Sequence, residues 1–447
     1  MGSCLKCAKS ENSNNNTISI LNYPRNRVLE VIQWNKQGEA EDLIEKRIEL
    51  TNPKIVLARE IIHKNRRYFI SVCTLPGLKA ETFAPKVCQD HCLVAEDSSS
   101  ILMAIHDGHG SEGEKVSSFV SNELENYYRT HKQEFANSPK QSLILATKHC
   151  DEALYQSGIS ITYSGTTQVI ALIQNNEVYF ANVGDSRALI ASGSSRPATA
   201  CYSNDEWGSI LEDLKKARKY PNAYPIKPFQ LTTDHKPDSD TEIMRILENG
   251  GCIKRKSNNG VKSGPHRIYK LTENAPGLAT SRTLGDRIAR QIGVICDPEI
   301  TFHTFDFEQD EFIVMASDGL WDVMSNEEVV NFVAAYKENC QKEVVQPSIS
   351  EANSSNSCIA QLLCEEARLR WLKISAYKKT NVDDITCIVL DLNKDNNGSF
   401  TMETSAEKSD NKVMPEMSPH TPHADRQKEI LYKHVMNYAP FEAGRCP

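Results

Sequence analysis

Ile101-Leu102-Met103-Ala104-Ile105-His106-Asp107-Gly108 is an apolar run of strand length that ends on an acidic residue and a glycine. The pattern recurs. Phe312–Ala316 runs into Ser317-Asp318-Gly319, Glu177–Val183 runs into Gly184-Asp185-Ser186-Arg187, and Ile385–Leu390 starts directly after Asp383-Asp384. Carboxylates at strand ends sit on rigid scaffold and can converge, while flanking glycines let backbone or ligand approach closely. A single Asp-Gly reads as a turn. Four strand-end aspartate sites in one domain weigh against that reading, although spacing alone does not decide between turn and site.

Around these strands lie further β-branched and aromatic runs at Thr167–Ile173, Arg187–Ala191 and Tyr68–Val72. Thr167–Ile173 and Glu177–Val183, joined by Gln174–Asn176, predict a hairpin. Ser-x-x-Glu capping boxes at Ser111/Glu114, Ser239/Glu242 and Ser325/Glu328 mark helix starts. Val116, Phe119, Val120 and Tyr127 then recur at helical spacing, as do Val329, Phe332, Val333 and Tyr336; both stripes read as core faces. Upstream, Ala40, Leu43, Ile44 and Ile48 fit a helical face, and the Asn-rich residues 10–27 read as a flexible tether. Two interruptions are expected: residues 192–229, Pro-rich around a short charged helix at Ile210–Arg218, and residues 253–268, a Lys/Gly/Asn-rich solvated loop. The organisation predicted is 1–27 flexible segment, 28–82 extension, 83–393 principal domain and 394–447 polar tail.

The chain has 447 residues, 39% hydrophobic and 25% charged, which suits a globular protein. Its formal net charge of −8 argues against broad nucleic-acid binding. No apolar run approaches the roughly 20 residues of a membrane-spanning helix. The 14 cysteines are scattered, and no signal-peptide core follows Met1, so reduced thiols and a cytoplasmic, non-secreted location are expected. Cys4 and Cys7 form the only Cys-x-x-Cys, without a second pair at zinc-finger spacing.

Crowded carboxylates repel and raise one another's pKa unless cations neutralise them. Oxygen-only ligands select hard ions, so Mg²⁺ or Mn²⁺ is the expectation rather than zinc.

Seven segments occur in an order that resembles the type 2C metal-dependent protein phosphatases: Asp107-Gly108-His109-Gly110, Ser164-Gly165-Thr166-Thr167, Ala181-Asn182-Val183-Gly184-Asp185-Ser186-Arg187, Asp234-His235-Lys236-Pro237, Ser281-Arg282-Thr283-Leu284-Gly285-Asp286, Ala316-Ser317-Asp318-Gly319-Leu320-Trp321-Asp322 and Asp383-Asp384-Ile385-Thr386. The resemblance spans roughly residues 83–393. It implies an α+β fold, a four-layer α-β-β-α sandwich of two antiparallel sheets flanked by helices, with metals in a channel at one end. It makes Asp107 the carboxylate bridging two Mg²⁺ or Mn²⁺ ions, puts the Gly108 carbonyl on one of them, and gives Asp318 and Asp383 the other. Asp90 then orients metal-bound water, and Asp185 matches the position of a third, weaker metal. The implied reaction is hydrolysis of phosphoserine and phosphothreonine in phosphoprotein substrates, by a water activated between the two cations. His109 matches the proton donor to the leaving oxygen.

The departures are specific. Gln89 stands where relatives carry a glutamate, and the substrate-phosphate arginine falls near Pro85, with Lys86 adjacent as a point-charge substitute. Asp384 replaces the usual asparagine, which leaves Asp383 and Asp384 as competing candidates. His106 reads as a satisfied structural histidine, Trp321 as core, Ser281-Arg282 with Asp286 as a hydrogen-bond network, Asp234-His235 as a loop organiser, and Lys254–Lys256 as a solvated face. The departures leave a catalytically weak or dead phosphatase-like scaffold as the alternative to an active monomeric enzyme.

Met1-Gly2-Ser3-Cys4-Leu5-Lys6-Cys7 resembles an N-myristoylation signal at Gly2 with palmitoylation cysteines at Cys4 and Cys7, although Lys6 stands where serine or threonine is preferred. It implies attachment to the cytoplasmic face of a membrane surface.

Overall fold

The computed structural model describes residues 17–21, 28–34, 46–49, 54–64, 66–80, 82–193, 226–258, 261–345 and 358–392. Two antiparallel sheets face each other. The first runs Leu284–Gly285, Gly165–Thr166, Ser100–His109, Gln168–Gln174, Glu177–Val183, Glu299–Thr304, with Asp90–Glu96 also paired to Ser100–His109. The second runs Lys227–Gln230, Arg187–Ser192, Asp310–Ala316, Ile385–Asp391, Arg66–Leu75, Ile55–His63.

Strand alternation builds the layers. Ile101, Met103 and Ile105 of the first sheet meet Ile70, Val72 and Ile313 of the second in the central core. Leu102, Ala104 and Leu172 point the other way, onto Val116, Val120 and Leu143 of helices Gly113–Thr130 and Pro139–Gln156. On the far side Val314, Cys387 and Val389 pack on Val329, Val333 and Leu363 of helices Asn326–Val345 and Ile359–Lys378. The result is the expected helix–sheet–sheet–helix sandwich. Its inner strands are covered on both faces, which is why they read as continuous apolar runs.

The predicted hairpin forms, with Gln174 opposite Glu177 and Asn175 at φ 58° in the two-residue turn. Of the capping boxes, only Ser325/Glu328 closes reciprocally, Ser325 N to Glu328 Oε2 at 3.0 Å and Glu328 N to Ser325 Oγ at 3.2 Å. The first helix starts at Gly113, where Ser164 Oγ instead accepts from Glu112 N at 3.0 Å. Glu242 is drawn off its cap by Arg245 and Arg282.

Four other expectations are corrected. Residues 253–268 are a β-hairpin, Gly251–Asn258 paired with Val261–Lys270, rather than a loop. The sandwich reaches upstream of residue 83, because Ile55–His63 and Arg66–Leu75 complete the second sheet. Thr17–Leu21, within the expected tether, pairs with Val28–Trp34, and Ile48, placed on a helical face, lies in the strand Lys46–Glu49. Ala40, Leu43, Ile44, the segment Ile210–Arg218 and the tail 394–447 lie outside the described residues.

Candidate metal and active site

The strand-end aspartates meet at one end of the sandwich. Asp107 lies near the C-terminal end of Ser100–His109, and Asp90, at the start of Asp90–Glu96, is its register partner. From the second sheet, Asp318 follows Asp310–Ala316 and Asp383 precedes Ile385–Asp391, adjacent strands with Ala316 opposite Cys387. Ser317 ties the groups together: its Oγ donates to Asp90 Oδ2 at 2.8 Å and accepts from Thr386 N at 3.0 Å. Gly319 is required here, since a Cβ at that position would collide with Asp384 O. Thr167 anchors the other side, its Oγ1 accepting from Asp107 N at 3.1 Å and its N–H donating to Asp107 O at 2.9 Å.

Asp90 and Asp185 are buried, whereas Asp107, Asp318 and Asp383 are half-buried and line the opening. Lost solvation pushes the Asp107 carboxyl well above its ordinary range, and Asp90, Asp318, Asp383 and Asp185 push it further. Asp318 is raised by the same effect, then by Asp185, Asp383 and Asp322. Burial lifts Asp90 to about 7, with Asp384 adding to the shift. Its Oδ1 is buried and has no hydrogen-bond partner among the described residues. These carboxylates face the ammonium groups of Lys86, whose Nζ is 3.6 Å from Asp383 Oδ1, and Lys236, whose Nζ is 2.5 Å from Asp185 Oδ2. Among the described residues no three His, Cys, Asp or Glu side chains close on a point as the ligands of a bound ion do. The site gathers carboxylate oxygens from both sheets, a donor set that fits divalent cations of the hard class.

Hydrogen bonding distinguishes Asp384 from Asp383. Asp384 is buried and spends both oxygens on backbone, Oδ2 accepting from Gln89 N at 3.0 Å and Oδ1 from Gly77 N. Asp383 faces the opening. Gln89 is equally occupied, its Nε2 donating to Gly110 O at 2.7 Å. A cation at Asp185 would compete with Lys236, to which the sequence reading gave no role of its own.

His109 Nε2 lies 2.6 Å from Asp286 Oδ2. Burial lowers the His109 pKa and Asp286 more than reverses it, so the net shift is upward. Asp286, read from sequence only as part of a network, is thus the partner of the expected proton donor. Gly165 makes the room, because a Cβ there would strike Asp286 Oδ2. Ser281 and Arg282 do form a network, both on Glu242. Arg187 grips Asp234 through Nε at 2.9 Å and Nη2 at 2.7 Å, and the carbonyl of His235 accepts from Ser281 N at 2.8 Å, which organises that loop. Trp321 is buried with Nε1 on Ala316 O at 2.9 Å. His106 is buried and held neutral, its pKa pushed down to about 3 by burial; only one of its nitrogens has a partner, Gln168 at 3.2 Å from Nε2, so it is structural but half-satisfied. Lys254 lies in the polar hairpin, its Nζ 3.1 Å from Asn274 Oδ1. Gly2, Cys4 and Cys7 lie outside the described residues.

The family described as Protein phosphatase 2C matches residues 78–368. The chain is 30% identical over 333 residues to the probable protein phosphatase 2C 72 of Arabidopsis thaliana, covering 72% of this chain and 84% of that protein. It is 32% identical over 302 residues to the probable protein phosphatase 2C 61 of the same plant, covering 66% and 77% respectively. Among solved structures, the serine-threonine phosphatase 2C from Toxoplasma gondii shares the fold with a TM-score of 0.51 at 18% identity, covering 75% of this chain and 99% of that one. The chain belongs to the protein phosphatase 2C family and is a metal-dependent protein phosphatase.

Proposed function

We propose that this phosphatase hydrolyses phosphoserine and phosphothreonine esters at a centre of two Mg²⁺ or Mn²⁺ ions. The observation that carries the reading is the placement of Asp90, Asp107, Asp318 and Asp383 at the strand ends of both sheets, with each carboxyl pushed above its ordinary range. Asp107 and the Gly108 carbonyl, with Asp318 and Asp383, would hold the ions. When bound, such ions supply Lewis acidity and an acidified water for in-line attack on phosphorus. Asp90 would orient water. Lys86, beside Asp383, offers its ammonium to the substrate phosphate as a point charge. The serine or threonine oxygen leaves poorly without a proton. Asp286 holds Nε2–H of His109, so Nδ1–H is the proton available to it.

Purified full-length protein should release phosphate from phosphoserine or phosphothreonine peptides only with Mn²⁺ or Mg²⁺ present. Asp107→Asn and Asp318→Asn should each lower turnover at least about 100-fold, beyond the usual effect of groups outside the ligand shell. Full activity in excess chelator would sink the reading.

Membrane attachment through acyl chains on Gly2 and on Cys4 or Cys7 is a separate proposal, supported by the sequence of the first seven residues. Gly2→Ala should then move the protein to the soluble fraction of its cell without changing turnover on a soluble peptide. A wild-type protein already wholly soluble would remove it.

A further inference from the structure

Lys54 stands one residue before the strand Ile55–His63, upstream of the family match at 78–368. Its backbone N–H donates to Thr74 O at 2.8 Å, fixing it at the end of the second sheet. Its stem is exposed, but its Nζ is turned onto three acceptors: Cys88 O and Asp90 O, each at 3.4 Å, and His91 Nε2 at 3.2 Å. The last contact begins a chain whose direction is set by chemistry. An ammonium only donates, so His91 Nε2 accepts and the ring proton sits on Nδ1. Nδ1 is 2.9 Å from Ser117 Oγ, which accepts that proton and is left free to donate to Gln89 O at 2.5 Å. Glu114 O, at 3.2 Å, is the longer alternative for the hydroxyl. The chain in this direction uses the neutral imidazole, with its one ring proton on Nδ1.

The chain ends at a crossroads of the site. Gln89 O also accepts from Gly108 N at 3.1 Å, and Gln89 N donates to Asp384 Oδ2 at 3.0 Å. One peptide segment therefore links Asp90, the Asp107-Gly108 strand end and the Asp383-Asp384 turn. Gln89 Nε2 donates to Gly110 O at 2.7 Å, and its amide carries no charge to offset a displaced backbone.

We propose that Lys54 is a positioning residue of the metal site, holding Cys88 O, Asp90 O and His91 so that the Gln89–Asp90 peptide is set against Gly108 and the site keeps its affinity for the divalent ion. The inference rests on the reading of Asp90, Asp107 and Gly108 as metal-site groups. Outer groups that orient metal ligands commonly govern affinity about 10- to 100-fold, through hydrogen bonds that fix where the ligands stand.

The test uses the full-length protein and Mn²⁺ as the probe. Lys54→Met should weaken Mn²⁺ binding, measured by calorimetry without substrate, by about tenfold. Phosphopeptide turnover should shift to higher Mn²⁺ by the same factor, with the loss recovered at saturating metal. The thermal midpoint in chelator should stay put, and Lys54→Arg, which keeps a donor cation, should restore most of the affinity. Ser117→Ala cuts the same chain further on and should act in the same direction, and the double variant should bind no more weakly than the worse single one. Unchanged Mn²⁺ affinity in Lys54→Met, or a loss that only tracks a lower thermal midpoint, would overturn the proposal. If Lys54→Met does not fold, Ser117→Ala decides by the same criterion. Failure of the wild-type protein to bind Mn²⁺ would instead overturn the metal-site reading, and is seen before any residue is changed.

Discussion

His109 and Asp286 are 177 positions apart in the chain and 2.6 Å apart in space, Nε2 to Oδ2. Asp286 sits at φ 48° with its side chain 2% exposed, in a hollow kept open by Gly165. A carboxylate so placed fixes the imidazole orientation and favours its protonated form. Asp286→Asn keeps the shape and removes the charge, so it should slow phosphopeptide hydrolysis while sparing an aryl phosphate ester, whose leaving group needs no proton. His109→Ala should show the same pattern more strongly, with about 100-fold loss on the phosphopeptide. Equal losses on both substrates in steady-state assays would remove the pair from proton transfer.

Asp383 and Asp384 should separate cleanly by experiment. Asp384 accepts from the backbone N–H groups of Gly77 and Gln89, and burying those donors without an acceptor costs about 1–3 kcal/mol each. Asp384→Ala should therefore lower the urea midpoint of the metal-free protein. Asp383→Ala should leave that midpoint near wild type and raise the Mn²⁺ concentration needed for activity. The opposite assignment predicts the reverse pairing of effects.

What was legible in the sequence follows from how local each signal is. Glu177–Val183 and Ile385–Asp391 were readable to the residue, because strands covered on both faces are continuous apolar runs bounded by turn residues. The hairpin Gly251–Asn258 with Val261–Lys270 was not, since its Lys- and Asn-rich strands lack the apolar alternation that betrays a half-buried strand. Glu242 satisfied a capping rule on paper, yet two arginines outcompete a single backbone N–H for a carboxylate. The aspartates of the candidate site were found through segments that resemble a family, whereas the partnership of Asp286 with His109 and the reach of Lys54 to His91 exist only once distant strands are in register.

The ends of the folding unit differ from those of the family match. Arg66–Leu75 is hydrogen-bonded on both sides, to Ile55–His63 and to Ile385–Asp391. Removing residues 1–77 should expose Ile388 and Leu390 and abolish soluble folded protein, judged by expression and circular dichroism. Removing residues 394–447 should leave the thermal midpoint and basal turnover close to wild type, because the last core contact in the described residues is Leu392. A truncated tail variant that is insoluble would move the domain boundary downstream.

Glu242 links stability to pH at a site remote from the aspartates. Its side chain is 2% exposed and accepts from Arg245 Nη2 at 2.5 Å, Arg282 Nη2 at 2.8 Å and Ser281 Oγ at 2.5 Å. Burial opposes ionisation, but Arg245, Arg282 and Ser281 together bring the pKa from 4.5 down to about 2. A folded-state pKa below the unfolded value means the unfolded chain binds the proton more readily. The stabilisation is then complete above pH 4.5 and is lost progressively as pH falls toward 2. At pH 7 the shift corresponds to about 3 kcal/mol. Glu242→Gln should lower the unfolding free energy by roughly that amount at pH 7, measured with urea in chelator so that the metal site makes no contribution. The gap between variant and wild type should narrow steadily below pH 4.5, while groups that do not feel the Glu242 charge titrate alike in both proteins. A gap that stays constant down to pH 3 would show that the shape of Glu242, rather than its charge, holds Arg245 and Arg282 in place.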